Sequence, residues 1–106
     1  MNKLQKQRYT TWCKYHITGC SAIHRIKRNA VFIHTNASLK HELMKAEVCY
    51  NLRKQNKEFI TEAVDNKTKL RHDVVCLDDG VIYEIETDSK RAARFKSMEN
   101  VVVIMV

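Results

Sequence analysis

Three acidic side chains in the second half of the chain could bind a metal ion together. Asp73 lies in one apolar run, and Glu84 and Glu86 lie in the next, with the turn residues 78–80 between them. This turn would fold the two runs into a hairpin and gather the three carboxylates in one place. Like charges held this close repel one another, so such a cluster usually holds a cation, a proton or a lysine. The sequence therefore predicts a cation site on this hairpin.

Each of these acids also has an ordinary structural interpretation. Asp73 could pair with the nearby Arg71 on a strand edge, an interaction that adds little stability. Glu84 and Glu86 alternate with apolar residues, so both could belong to the solvated face of an antiparallel ribbon. The acids favour a site when they are taken together, because they occur in order on neighbouring elements.

Length and composition favour one small domain. The chain has 106 residues, of which 44% are hydrophobic, and it contains two glycines and no proline. No apolar run approaches the roughly 20 residues that cross a bilayer, and the N-terminal residues lack the apolar stretch of a secretory signal. The four cysteines are scattered, which favours reduced thiols. We expect a soluble intracellular protein, in the cytoplasm or in the cytoplasm of a host cell, with no membrane partner.

Positive charge is concentrated in the first half of the chain. Residues 1–57 contain 12 Lys and Arg against two acidic residues, whereas residues 58–106 contain 7 against 10. A basic surface attracts polyanions, because each cation near a phosphate releases condensed counterions. Nucleic acid, and DNA rather than RNA, is the expected partner, although excess lysine can also serve solubility alone. The expected nucleic-acid contacts are Arg25, Lys27, Arg28, Lys40, Lys69 and Arg71.

The elements that must position the acids follow from hydrophobic patterning. Residues 38–55 form the clearest predicted helix, and Glu47 lies beside its apolar stripe, at the border of the core. That stripe consists of Leu39, Leu43, Ala46 and Tyr50. Strands are predicted at 58–64, 69–77 and 81–87, a short helix at 88–96 and a last strand at 101–106. The order from residue 38 is α, β, β, β, α, β, and the six apolar residues of the last strand favour a central or covered place, reached by a helical crossover.

Residues 1–37 are expected to form a basic extension of the same domain. A first helix is predicted over residues 3–17, ending near Gly19. A β-hairpin over residues 22–34 with a basic tip is predicted next, and a continuous helix through Ile26 is the alternative.

Four residues of the extension have types that bind zinc. Cys13, His16, Cys20 and His24 are separated by three, four and four positions. On one helix they would span about 16 Å, which is too far for one tetrahedral ion, although a break at Gly19 could bring them together. Ordinary packing of these side chains is the favoured interpretation.

The order of the elements and the places of the acids resemble the PD-(D/E)XK nuclease superfamily, which includes restriction endonucleases and Holliday junction resolvases. The resemblance covers residues 38–106 and rests on Glu47 in the helix, Asp73 in the second strand and residues 84–86 in the third. Most members have a lysine where this chain has Glu86, and some carry E-x-E. Residues 41–52 and 84–88 are also similar to replication-relaxation proteins, which place a winged helix before a nuclease-like core.

The resemblance implies a restriction endonuclease-like α/β core, with a mixed central sheet flanked by helices, and Mg²⁺-dependent hydrolysis of DNA. Asp73, Glu84 and the backbone carbonyl of residue 85 would hold the ion, and Mn²⁺ could substitute for Mg²⁺. Glu47 would be a further ligand or would support one. Glu86 would act as a base or ligand, and Lys90, or else Lys69, would supply the missing positive charge.

Other functions remain open from the sequence alone. The same pattern fits a catalytically inactive nucleic-acid-binding module that acts in replication, recombination or regulation. A small zinc-containing regulator is a third hypothesis.

A virus, phage or mobile element is the expected source of so small a nuclease. A homodimer formed through the last strand or the first helix could help it handle two DNA strands.

Overall fold

The computed structural model describes residues 1–17 and 27–106 and shows an α/β fold with a five-stranded mixed sheet. Its elements are α1 (Lys3–Trp12), β1 (Tyr15–Ile17), α2 (Leu39–Lys54), β2 (Phe59–Asp65), β3 (Arg71–Cys76), β4 (Ile82–Glu86), α3 (Ser89–Ala93) and β5 (Val101–Met105). The strands lie in the order β1-β2-β3-β4-β5, and only β4 and β5 run parallel. None of the helices in these ranges is long and apolar enough to cross a membrane.

The order of elements predicted from residue 38 onward is confirmed. The turn between β3 and β4 places Gly80 at φ 77°, a conformation that glycine adopts without strain, and the Asp79 carboxylate accepts the Val81 N–H at 3.0 Å. The Asp88 carboxylate caps α3 by accepting the Lys90 N–H at 2.8 Å. This short helix carries the chain back, so that β5 can lie parallel to β4.

Two apolar clusters lie against the sheet. One joins the buried face of α2 to three strands and consists of Val48, Cys49, Leu52, Phe59, Val74, Cys76 and Ile85. The other consists of Ile60, Ala63, Val75, Leu77 and Ile82, with Trp12 and Tyr15 packed on it. Successive residues of β3 belong to different clusters, so one face of the sheet packs on α2 and the other packs on the end of α1.

The face of α2 that packs on the sheet is not the predicted one. Leu39, Leu43 and Tyr50 are 74%, 61% and 65% exposed. The buried residues of the helix are instead Glu42, Lys45, Val48, Cys49 and Leu52. The prediction failed because charged residues are normally excluded from a core, whereas here two opposite charges are buried as a pair. Glu47, which was expected at the border of the core, is exposed.

The N-terminal region also differs from the prediction. The first helix ends at Trp12, and the next residues form β1, which gains backbone partners by pairing with β2. No strand forms over residues 27–34, and residues 22–26 of the predicted hairpin lie outside the described ranges. Side chains hold this stretch instead: the Thr61 hydroxyl donates to the Ala30 carbonyl at 2.9 Å and accepts the Phe32 N–H at 3.1 Å.

The last strand lies at the edge of the sheet, not in its centre. In the described part of the chain, β5 pairs with β4 alone, and Val102 and Met105 are 43% and 49% exposed. An apolar composition predicts a covered strand, but it does not reveal that none of the other described strands lies on the far side of β5.

Candidate functional site

A pocket of about 570 Å³ opens between the start of α2, the sheet and α3. Acidic, basic and imidazole side chains all line it. Its charged and titratable residues are His34, His41, Glu62, Arg71, Asp73, Glu84, Glu86, Arg91 and Arg94. The pocket therefore combines carboxylates with a rim of three arginines.

β3 and β4 separate at this pocket, and two carboxylates fill the gap. The strands pair at Val75 with Ile82 and at Val74 with Tyr83. Beyond that point the Asp73 carboxylate accepts the Ile85 N–H at 2.8 Å, and the Glu84 carboxylate accepts the Asp73 N–H at 3.2 Å. Within residues 1–17 and 27–106, the second oxygen of each carboxylate has no hydrogen-bond partner. Two carboxylate oxygens are thus available to a ligand in the pocket.

The buried side chain of His72 also contacts the Glu84 carboxylate. The Nδ1 atom of His72 lies 2.9 Å from Glu84 Oε1, and the histidine is 1% exposed. Tyr15 packs edge-on against the same imidazole ring, with 6.3 Å between ring centroids. These contacts fix the direction of the Glu84 carboxylate.

Lys45 lies entirely in the interior beside the pocket. Its side chain is 0% exposed, and its ammonium donates to Glu42 at 3.0 Å, to Glu62 at 2.8 Å and to the Phe32 carbonyl at 2.5 Å. Three acceptors satisfy the three N–H bonds of an ammonium group. Lys45 therefore neutralises two acids that the fold removes from water.

His41 connects this interior cluster to the pocket. Its Nδ1 atom lies 2.8 Å from a Glu42 carboxylate oxygen, and its Nε2 atom lies 3.4 Å from Asp73. Glu42 also accepts the backbone N–H of His34. The imidazole is thus oriented by one carboxylate and directed toward another.

Glu62 adopts an unusual backbone conformation in the middle of β2. Its φ is 53°, and it lies between the paired positions of Thr61 and Ala63. A non-glycine residue in this region costs about 1–3 kcal/mol and often marks a functional site. Besides Lys45, Arg71 Nε contacts its carboxylate at 3.4 Å. These ion pairs hold the Glu62 carboxylate at the wall of the pocket.

The crowding of carboxylates changes their acidity. The pKa of Asp73 is raised to about 6, because burial disfavours its charged form and the charges of Glu84 and Glu62 add to this effect. The Ile85 N–H and His41 oppose the shift. A proton or a cation would relieve the unfavourable charge at Asp73.

Hydrogen bonds lower the pKa of Glu42, in contrast to the raised pKa of Asp73. Burial alone would raise the pKa of Glu42, but hydrogen bonds from His34, His41 and Lys45 outweigh it and lower the pKa to about 2. Burial alone would lower the pKa of His41, because it disfavours the charged imidazolium. The Glu42 hydrogen bond and the Asp73 charge outweigh burial, so the pKa of His41 is raised. The lowered pKa of Glu42 and the raised pKa of His41 both favour an ion pair between the two side chains.

The donor set fits a hydrated magnesium ion better than a closed protein cage. Within the described ranges, no group of three or more His, Cys, Asp and Glu side chains is arranged to hold a metal ion. Mg²⁺ needs only one or two protein carboxylates, because waters and substrate phosphates complete its octahedral shell. Asp73 and Glu84 supply two such carboxylates, and Glu86 lines the same pocket.

The structure brings together some of the predicted site residues but not all of them. Asp73, Glu84, Glu86 and Arg71 line the pocket. The predicted residues Glu47, Lys90, Lys27, Arg28, Lys40 and Lys69 are exposed and do not line it. Arg25 lies outside the described residues.

The predicted zinc ligands are described only in part. Cys13 is an exposed free thiol, and His16 Nδ1 lies 2.5 Å from the Asn66 side-chain oxygen. Cys20 and His24 lie outside the described residues.

Several residues of the site were missed by sequence reasoning. The missed residues are His34, His41, Glu42, Lys45, Glu62, Arg91 and Arg94. One signal was present, because Glu42, Lys45, Cys49 and Leu52 follow one another at helical spacings of three, four and three. That spacing places the two charged residues in line with two apolar ones on a single helix face.

Compared with known proteins, the chain matches no family model, no curated protein and no solved structure.

Proposed function

We propose that this protein is a Mg²⁺-dependent DNA endonuclease with a PD-(D/E)XK-like core formed by α2, β2, β3, β4, α3 and β5. The observation that supports the proposal best is the position of Asp73 and Glu84, opposite each other where β3 and β4 separate. Members of that superfamily bind their ion with an Asp of the second core strand and an acid of the third. In this chain Asp73 lies on β3 and Glu84 lies on β4, the second and third strands after α2, which supports the proposal.

Asp73 and Glu84 would hold the ion through their second oxygens, since their first oxygens are engaged by backbone N–H groups. When bound, Mg²⁺ would acidify a water and neutralise the charge that develops on the scissile phosphate. Glu86 lies two residues further along β4 and lines the same pocket, so it would accept the proton of the attacking water.

The arginines at the pocket would bind the DNA backbone. Arg91 and Arg94 are exposed, and the Arg94 guanidinium lies over the Phe95 ring at 4.9 Å. Guanidinium groups suit phosphate because their N–H groups match its oxygens in pairs. Together with His41, they place positive charge at the pocket, although Glu86 replaces the usual lysine.

The Glu86 position also supports a second candidate function. A chain without the lysine that usually activates water could bind DNA without cutting it. This alternative is a nucleic-acid-binding module of the same fold that acts in replication, recombination or regulation.

One experiment separates the two functions. Purified protein is incubated with labelled duplex, single-stranded, flapped and branched DNA in Mg²⁺, Mn²⁺ or EDTA, beside Asp73→Asn, Glu84→Gln and the matched control Glu99→Gln. Glu99 is exposed and does not line the pocket. We expect metal-dependent cleavage that falls at least about 100-fold in the two site variants and is unchanged in the control. Cleavage retained by both site variants would reject the site, and binding without cleavage in either metal would favour the module.

A further inference from the structure

The outer surface of α2 carries an apolar stripe that the described residues leave uncovered. This outer stripe consists of Leu39, Leu43, Ala46 and Tyr50, of which only Ala46 is half-buried. It is turned roughly 130° around the helix from the buried face. Single exposed apolar residues are common, but a continuous row over three turns typically marks an interaction surface.

The spacing of the outer stripe is that of a helix–helix seam. Its residues follow one another at intervals of four, three and four. Two helices pack along such a row, because these intervals keep the apolar side chains facing the partner helix. The expected occupant of the stripe is therefore another α-helix.

Charges beside the stripe indicate which helix this is. Lys40, Glu47 and Lys54 lie seven residues apart along one flank, alternate in sign and are exposed. Among the described residues, none of the three forms an ion pair. The residues on the other flank, Glu42 and Cys49, are buried within the fold. Along the length of the stripe, the exposed charges therefore lie on the flank of Lys40 and Glu47.

We infer that a second copy of this chain docks on the outer stripe, with the two α2 helices antiparallel about a two-fold axis. In this arrangement Leu39 of one copy meets Tyr50 of the other, and Leu43 meets Ala46. The free flanks then face each other, so that Lys40 of each copy comes within reach of the other's Glu47. An antiparallel pair is favoured because a parallel pair would set the charged flank of one helix against the buried flank of the other.

The dimer is expected to be weak. The stripe is about 17 Å long at 1.5 Å per residue. Stable interfaces bury about 800 Å² on each partner, and four side chains bury less than that. Association in the micromolar range is therefore expected.

Sedimentation velocity between about 5 and 500 µM tests the inference independently of DNA cleavage. We expect reversible dimerisation of the natural protein, and loss of the dimer in Leu43→Glu with unchanged far-UV circular dichroism. The matched control Val102→Lys alters another exposed apolar residue, on β5, and should leave the dimer intact. A natural protein that stays monomeric throughout, a dimer that survives Leu43→Glu, or one that is lost in Val102→Lys would overturn the inference.

A charge exchange tests the antiparallel arrangement itself. Lys40→Glu and Glu47→Lys should each weaken self-association at least about tenfold, because each sets like charges against each other at both contacts. An equimolar mixture of the two variants should restore association, since each variant supplies the charge that the other lacks. Failure of the mixture to associate would overturn the proposed pairing.

Discussion

The side chains of Asp73 and Glu84 each accept a backbone N–H from the opposite strand. The Glu84 carboxylate accepts the Asp73 N–H at 3.2 Å, and the Asp73 carboxylate accepts the Ile85 N–H at 2.8 Å. These side chains take the place of backbone bonds where β3 and β4 separate. The same two residues therefore support the end of the sheet and form the floor of the pocket. Amide variants are the appropriate test of function, because they retain an oxygen that accepts these N–H groups.

Asp73→Asn is expected to stabilise the metal-free protein at pH 8 and to have little effect at pH 4. The pKa of Asp73 is about 6 in the folded protein, above its ordinary value of 3.8. The stability that the protonated carboxyl contributes below pH 3.8 is therefore lost as the pH rises through 6. The loss amounts to about 3 kcal/mol at most. Thermal unfolding in EDTA at both pH values measures it. Mg²⁺ at pH 8 should then stabilise the natural protein more than the variant, and equal effects of the substitution at both pH values would contradict the prediction.

Lys45→Met should destabilise the protein by about 3–5 kcal/mol, because it leaves Glu42 and Glu62 buried without a counter-charge. Urea denaturation measures this change. Lys54→Met, an exposed position on the same helix, should cost less than about 1 kcal/mol. Adding Glu42→Gln and Glu62→Gln to Lys45→Met should recover part of the loss. A small effect of Lys45→Met alone would show that these acids do not need the ammonium.

Glu42 should contribute to acid sensitivity. Its pKa falls from 4.5 to about 2 on folding, so its stabilising effect is complete above the upper value and is lost as pH falls toward the lower one. The stability gap between the natural protein and Glu42→Gln should therefore shrink by about 3 kcal/mol across this window. Denaturant unfolding at several pH values measures the gap. The exposed Glu99→Gln serves as the control, and a gap independent of pH would refute the prediction.

Arg91→Gln and Arg94→Gln should weaken DNA binding in EDTA for every sequence tested. Each removes one expected phosphate contact, so the slope of log affinity against log salt should fall in magnitude by about 1 per variant. Fluorescence anisotropy across a salt series provides the measurement. Arg53→Gln, which changes an exposed arginine of α2 outside the pocket, should leave the slope unchanged. A slope that both pocket variants preserve would place the DNA elsewhere.

The meeting of Asp73 and Glu84 could be predicted from the sequence because a tight turn fixes strand register. Val74 pairs with Tyr83 and Val75 pairs with Ile82, so the hairpin folds about a turn at residues 77–80 and brings Asp73 opposite Glu84. Their place beside α2 also followed from the order of elements. Local patterning was sufficient for this part of the site.

The contribution of α2 could not be predicted in the same way. The apolar residues Leu39, Leu43 and Tyr50 suggested the wrong buried face, because hydrophobic patterning treats every charged residue as solvent-facing. Lys45 is buried only because Glu62, 17 residues further along the chain, lies within 2.8 Å of it. Such a long-range contact has no local signature.

The open edge of β5 has a practical consequence for handling this protein. One side of the strand is paired with β4, and no strand within residues 1–17 and 27–106 pairs with its other side. Residues 101–106 contain no charged side chain and no proline, two features that usually protect a sheet edge. Short uncharged segments rich in β-branched residues also stack readily into fibrils. Prolonged storage at high concentration should therefore favour thioflavin-positive aggregates that grow from this edge, and a lysine in place of Val102 should delay them.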